Sequence, residues 1–213
     1  MKKIILLVVC IVFACGCTKI KELDYPHIIT SVVTSKYDIV NTHRTGYKYY
    51  IPSGMSSITS KDYNEVISSA HYDYYLYVDV VSYYNRVIEE YKVDSNAYFS
   101  APINYEDKYG YLEINKQANG KYLVEIMYNY AKIEVMVEES DLKTATTNAM
   151  IILSSIDYNS DILESIVGDN VLEFNDETFN IFQTKKKESN YLDVEASDIY
   201  EETEEVADPD LIN

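Results

Sequence analysis

The chain has three cysteines, and all of them, Cys10, Cys15 and Cys17, lie within its first 17 residues. The rest of the protein offers no thiol, so neither a disulfide framework nor a cysteine nucleophile is expected there. The three histidines, His27, His43 and His71, stand in separate segments without metal-ligand spacing, whereas a zinc site needs three or four convergent ligands. No Gly-x-Ser-x-Gly turn presents a serine nucleophile. Neither a Gly-x-Gly-x-x-Gly nor a phosphate-loop pattern occurs among the six glycines. Adjacent carboxylates do occur, at Glu89-Glu90, Glu106-Asp107 and Glu138-Glu139. Glycosidases work with carboxylate pairs, but neighbouring side chains of a strand point to opposite faces, so these pairs are not expected to converge. Asp208-Pro209-Asp210 and Glu201-Glu202 carry calcium-type oxygens without the turn that preorganises a calcium site. No catalytic residue, metal site or cofactor is therefore assigned.

Cys17 has the most informative surroundings. Met1-Lys2-Lys3 is a short positive start, Ile4 to Phe13 is an apolar run, and small residues follow at Ala14 and Gly16. That is the layout of an export signal, and the run is too short to cross a bilayer, which takes about 20 helical residues. Ala14-Cys15-Gly16-Cys17-Thr18-Lys19 resembles the lipobox of bacterial lipoproteins. The resemblance implies cleavage before the cysteine and a diacylglyceryl group on it. Cys17 is preferred over Cys15 because it has Gly16 before it and polar residues directly after, whereas Cys15 has the bulky Phe13 two positions upstream. Two acyl chains make a stable anchor where one is marginal. The expected place of the protein is thus the extracytoplasmic face of a cell membrane. A composition rich in Tyr, Ile, Asn and Lys, as a low-GC genome produces, leans toward a Gram-positive surface.

The formal charge of −17 is unevenly spread: ten acidic residues and no Lys or Arg follow Lys187. Without that stretch the net charge is about −7. No basic footprint is present to neutralise phosphates, which sets nucleic-acid binding aside. The 23 tyrosines, in a chain without Trp, suit half-buried strands, where the ring is covered and the hydroxyl reaches water.

The elements that position these residues follow from periodicity. Asp24-Tyr25-Pro26 reads as a helix start, with Ile28, Ile29, Val32 and Val33 on one face; their β-branching leaves a strand open as the alternative. From Tyr37 to Glu139 the pattern is mostly β, with strands at 47–51, 63–69, 72–82, 98–105 and 109–116. Asp79, inside the apolar 72–82 run, is placed by alternation on the polar face. Residues 83–95 read either as a continued strand or as a short helix. Asn119-Gly120 predicts a tight hairpin into 122–130, and a further turn is expected near Asn129 before 131–139. Ser140-Asp141 then caps an amphipathic helix of about 16 residues bearing Leu142, Ala145, Ala149, Ile152, Leu153 and Ile156. A shorter helix at 161–167 ends at Gly168, and 171–174 and 179–182 are expected as extended pieces.

The expected architecture is α+β: a single domain with an antiparallel β-sheet covered by helices. Residues 1–16 form the signal peptide, 17–24 a tether, 25–184 the domain and 185–213 a disordered acidic tail. The strand ending in Tyr50-Ile51-Pro52-Ser53-Gly54-Met55, the antiparallel run after it, and the late helix closing on Leu153-Ser154-Ser155-Ile156 make residues 45–157 similar to the PsbP-like α/β/α sandwich. Members of that family mostly bind or assist other proteins, so the resemblance implies no catalytic residues. The expected partners are the membrane and an envelope protein or cell-wall component, bound without chemistry. The alternative is a lipid-anchored hydrolase or solute-binding component acting on an extracellular ligand.

Overall fold

A computed structural model of the 213-residue chain describes residues 23–35 and 39–167. Cys15, Cys17, Gly168, the extended pieces expected at 171–174 and 179–182, and the acidic stretch 185–213 lie outside the described residues.

Helix α1, Tyr25–Val33, begins where the Asp24 carboxylate accepts from the His27 backbone N–H at 2.9 Å, with Pro26 in the first turn. Ile28, Ile29 and Val32 are buried, so the helical reading of this β-branched stretch holds. The chain then forms a small sheet from β1 (Thr42–Arg44) and β2 (Tyr47–Tyr49). Next come β3 (Ser56–Lys61), β4 (Asn64–Ser68) and β5 (Asp73–Val78). A short helix α2 (Val80–Asn85) and an irregular stretch, 86–98, lead to β6 (Phe99–Tyr105), β7 (Lys108–Lys116), β8 (Tyr122–Tyr128) and β9 (Ala131–Val137). One 3₁₀ turn, Glu139–Asp141, precedes α3 (Leu142–Ser154), and β10 (Asp157–Tyr158) and α4 (Ser160–Val167) close the described fold.

Strands β3 to β9 form a seven-stranded antiparallel sheet in the order β3-β4-β5-β9-β8-β7-β6, and β1-β2-β10 form a separate three-stranded one. The fold class is α+β, as expected from the sequence. On β8, Tyr122, Val124, Ile126 and Tyr128 face the same way as Val137, Val135, Ile133 and Ala131 of β9. Helix α3 packs over these two central strands and α1 packs beside it. All six apolar residues of the helical pattern, Leu142 to Ile156, are buried. At roughly 25 cal/mol per Å² of apolar surface removed from water, this face supplies the main driving force for folding.

Several local readings are corrected. The 72–82 run is strand only to Val78; Asp79 then caps α2, accepting from the Ser82 N–H at 2.8 Å, so it lies on neither sheet face. Asp141 occupies the N-cap position of α3 without a side-chain cap bond, and its carboxylate instead accepts from the Tyr72 hydroxyl at 2.8 Å. Asn119-Gly120 does turn the chain, but only Gly120 has positive φ (84°), because Gln117–Lys121 close a wider loop through Gln117 N–H to Lys121 O at 2.8 Å. The two-residue turns with positive φ at both positions are Asp62-Tyr63 (46° and 67°) and Asn129-Tyr130 (52° and 61°). Asp62 and Asn129 suit the first position of such a turn, while the sheet's twist imposes the left-handed conformation on Tyr63 and Tyr130, which do not favour it.

Candidate functional site

The three histidines are all exposed, and so are the members of the three adjacent carboxylate pairs. None of these sequence-level candidates forms a site. Among the described residues no group of three or more His, Cys, Asp or Glu is arranged to hold a metal ion.

The carboxylates that do come together are remote in sequence. On the sheet face away from α3, Glu113 of β7 stands directly opposite Glu125 of β8, and Glu125 stands directly opposite Glu134 of β9. The row continues to Ser100 of β6 on one side and Tyr75 of β5 on the other. All three glutamates are buried, with 9%, 8% and 4% of their surface exposed. Like charges directly opposite on neighbouring strands repel, and burial removes the water that would screen them. Each carboxylate therefore needs compensation nearby.

Each has a distinct set of partners. Glu113 accepts from the Asn115 amide at 2.8 Å and from the Tyr91 hydroxyl, and Tyr91 also meets the Ser100 hydroxyl at 2.7 Å. Glu125 accepts from the Tyr111 hydroxyl. Glu134 accepts from the Lys132 ammonium at 2.8 Å through Oε1, while its Oε2 is buried without a donor from any other kind of side chain. Its neighbour across the strand pair is the Glu125 carboxyl. Burial pushes the Glu134 pKa up, Lys132 pulls it down, and Glu125 pushes it up again, for a net rise. Tyr91 and Tyr111 are raised by burial and by the adjacent glutamates, so both stay protonated as donors.

Tyr91 reaches this row from the irregular stretch 86–98. Its ring stacks on Tyr111 with centroids 4.2 Å apart and planes 7° from parallel. The Asp94 N–H donates to the Ser100 hydroxyl at 2.9 Å. Stacking and hydrogen bonds together hold this otherwise irregular stretch against the sheet. The row is a buried acidic strip with one ammonium and three phenol rings, Tyr75, Tyr91 and Tyr111, beside it. Chemically it holds one carboxyl, Glu134, with a raised pKa, bordered by partly exposed phenol rings.

Two other polar clusters are structural. Glu65 on β4 has a fully buried side chain on the helix-facing side of the sheet, where it pairs with Arg44 through two N–H groups. Arg44 also donates to the Ser57 hydroxyl at 3.1 Å, joining the small sheet to β3. Near Asn129-Tyr130, Tyr83 stacks on Tyr158 at 4.0 Å and carries the Arg86 guanidinium 4.5 Å from its ring centre. Tyr83, Tyr84, Arg86, Ser160 and Glu164 line an open hollow there. The left-handed Arg86 (φ 57°) is accounted for as the end of α2, where the Arg86 and Val87 N–H groups cap carbonyls of the last turn.

No protein-family model matches the chain, and no curated protein matches it. Among the described residues, no helix is long and apolar enough to cross a membrane.

Proposed function

We propose that this protein is a lipid-anchored extracytoplasmic lipoprotein, held on a bacterial membrane by a diacylglyceryl group on Cys17. In this reading the α+β domain is a non-enzymatic module that binds an envelope protein or a cell-wall component. The observation that carries the anchor is Ala14-Cys15-Gly16-Cys17 placed directly after a positively charged start and an apolar run. The binding reading is supported by the sheet face described above, where a buried acidic row meets Tyr75, Tyr91 and Tyr111. Such a face suits a partner that brings amines or hydroxyls to it. The similarity of residues 45–157 to PsbP-like domains points the same way. A Gram-positive surface is the favoured setting.

Mild crosslinking in the native host, followed by mass spectrometry of the retained material, tests the proposal. One dominant envelope partner, lost on Tyr75→Ser and Tyr111→Phe substitution, is the expected result. Free protein alone in the crosslinked sample overturns the binding reading. Cys17→Ser is expected to abolish acyl-chain labelling and detergent-phase partition, and retention of both would move the anchor to another residue.

A second reading, a lipid-anchored hydrolase or solute-binding component, is favoured by the Glu125–Glu134 pair. Two carboxyls in direct opposition, of which Glu134 has a raised pKa, are the raw material of acid–base catalysis. Turnover of wall fragments that disappears in Glu134→Gln would establish it.

A further inference from the structure

The point at which the chain enters the domain restricts which end of the sheet can meet a membrane. The Tyr25 ring, in the first turn of α1, lies 4.6 Å from Phe99, the first residue of β6. Lys116 ends β7 and Tyr122 begins β8 at the same end, with the Lys116 ammonium 5.4 Å over the Tyr122 ring. The opposite end carries the turns at Asp62-Tyr63, Glu106-Asp107 and Asn129-Tyr130. Strand β7, at nine residues, separates the two ends by about 30 Å.

We infer that the sheet end beside Tyr25 faces the bilayer, with the Tyr98 ring seated at the lipid–water interface. The inference rests on the proposed lipidation of Cys17. From Cys17 to Asp24 is seven residues, which span at most about 25 Å even when fully extended. With the far turns on the membrane, Asp24 would stand about 30 Å above it, beyond that reach. The near end is therefore the one the tether delivers. Tyr98 is half exposed there, its ring edge-on to Tyr122 at 4.9 Å, and Val93 is 59% exposed on the stretch that Asp94 pins to Ser100. A phenol with one face on protein and the other open matches the amphipathic headgroup zone, where Tyr is enriched. Lys116 and Lys121 flank it, but Asp24, Glu138 and Glu139 stand at the same end. Acidic residues outnumber these lysines, so the ring and not an attractive net charge makes the contact.

The test uses the full chain from a lipidating bacterial host, reconstituted into vesicles of phosphatidylethanolamine and phosphatidylglycerol. Processing at Cys17 leaves no free thiol, so a single introduced cysteine carries the fluorophore uniquely. Tyr98→Cys is compared with Asp107→Cys at the far end, using spin-labelled lipid as quencher. Lys121→Cys serves as a second near-end position whose exposed side chain makes misfolding no concern. Labels at 98 and 121 are expected to be quenched at least about twofold more than the label at 107. Equal quenching at both ends, or stronger quenching at 107, overturns the inference while leaving the anchor in place. Detergent-phase partition is measured on the same samples, and a chain that stays in the aqueous phase overturns the anchor and this inference with it.

Discussion

Glu65 and Glu134 are both buried carboxylates on the large sheet, yet their surroundings give opposite expectations. Glu65 has a full countercharge in Arg44. Truncating one member of a buried pair strands the other, so Arg44→Ala is expected to cost about 3–5 kcal/mol. Adding Glu65→Leu to that variant removes the stranded charge, and the double variant is expected to recover part of the loss in urea unfolding. Glu134 has the Lys132 ammonium on one oxygen and the Glu125 carboxyl beside it. Its folded pKa is raised, so just above the ordinary carboxyl range the native state keeps a proton that the unfolded chain has released. Stability from this group is fully present below the unfolded value and is lost as pH rises through the folded one. Urea midpoints measured from about pH 4 to about pH 8 should therefore show a downward contribution in the wild type that Glu134→Gln flattens. An unchanged slope in the variant would remove the raised Glu134 pKa from the account.

At the scale of elements, the hairpins show how tertiary packing overrides local preference. Glu106 begins the β6–β7 turn with φ 53° and is exposed, in a left-handed conformation that glycine adopts freely. Replacing it with glycine relieves a cost of about 1–2 kcal/mol against an entropic penalty of about 0.5–1 kcal/mol. Glu106→Gly is thus expected to raise the thermal midpoint modestly, by up to about 1 kcal/mol of stability. A lowered midpoint would mean that the Glu106 side chain contributes to the turn. Asn129 and Tyr130 adopt the same backbone region but cannot be exchanged so freely. The Asn129 amide donates to the Ile156 carbonyl at 3.4 Å, its own carbonyl accepts from the Tyr158 hydroxyl at 2.8 Å, and the Tyr130 ring meets Tyr83 at 5.6 Å. That turn joins the sheet to the end of α3 and to β10.

At the scale of the whole described domain, stability is graded across the sheet. Strands β8 and β9 are central, paired on both sides and covered by α3. Strand β3 lies at an edge, is almost entirely exposed and has a register shift between Ser57 and Thr59. Amide hydrogen exchange is expected to be slowest in β8 and β9 and fastest, among the strands of the large sheet, in β3. Protection of β3 amides equal to that of β8 would indicate a partner on that edge. The proposed seating of Tyr98 on a bilayer belongs to this scale too, because it depends on the proposed anchor at Cys17, on where the chain enters the domain and on how long the strands are.

The sequence alone determined which stretches are apolar and with what period, and hence the α+β class, the helix carrying Leu142 to Leu153 and most of the strands. The proposed lipobox-like segment was also read from the sequence, from charge, length and small residues in one short stretch, without recourse to any fold. Only the tertiary structure decided the acidic row. A strand pattern tells which residues alternate, but the opposition of Glu113, Glu125 and Glu134 depends on pairing register across two turns. Part of that was within reach: Glu113 and Glu125 lie equally far from Asn119, the recognised turn. For the second pairing the turn near Asn129 was expected, but Asn129-Tyr130 lacks the glycine that would fix its length and so the register. Tyr91 was out of reach altogether, since it comes from an irregular stretch with no period and is held by stacking and hydrogen bonds to a strand 20 residues away. Local periodicity is set by neighbours along the chain, whereas a buried polar cluster is set by which strands the whole core brings side by side.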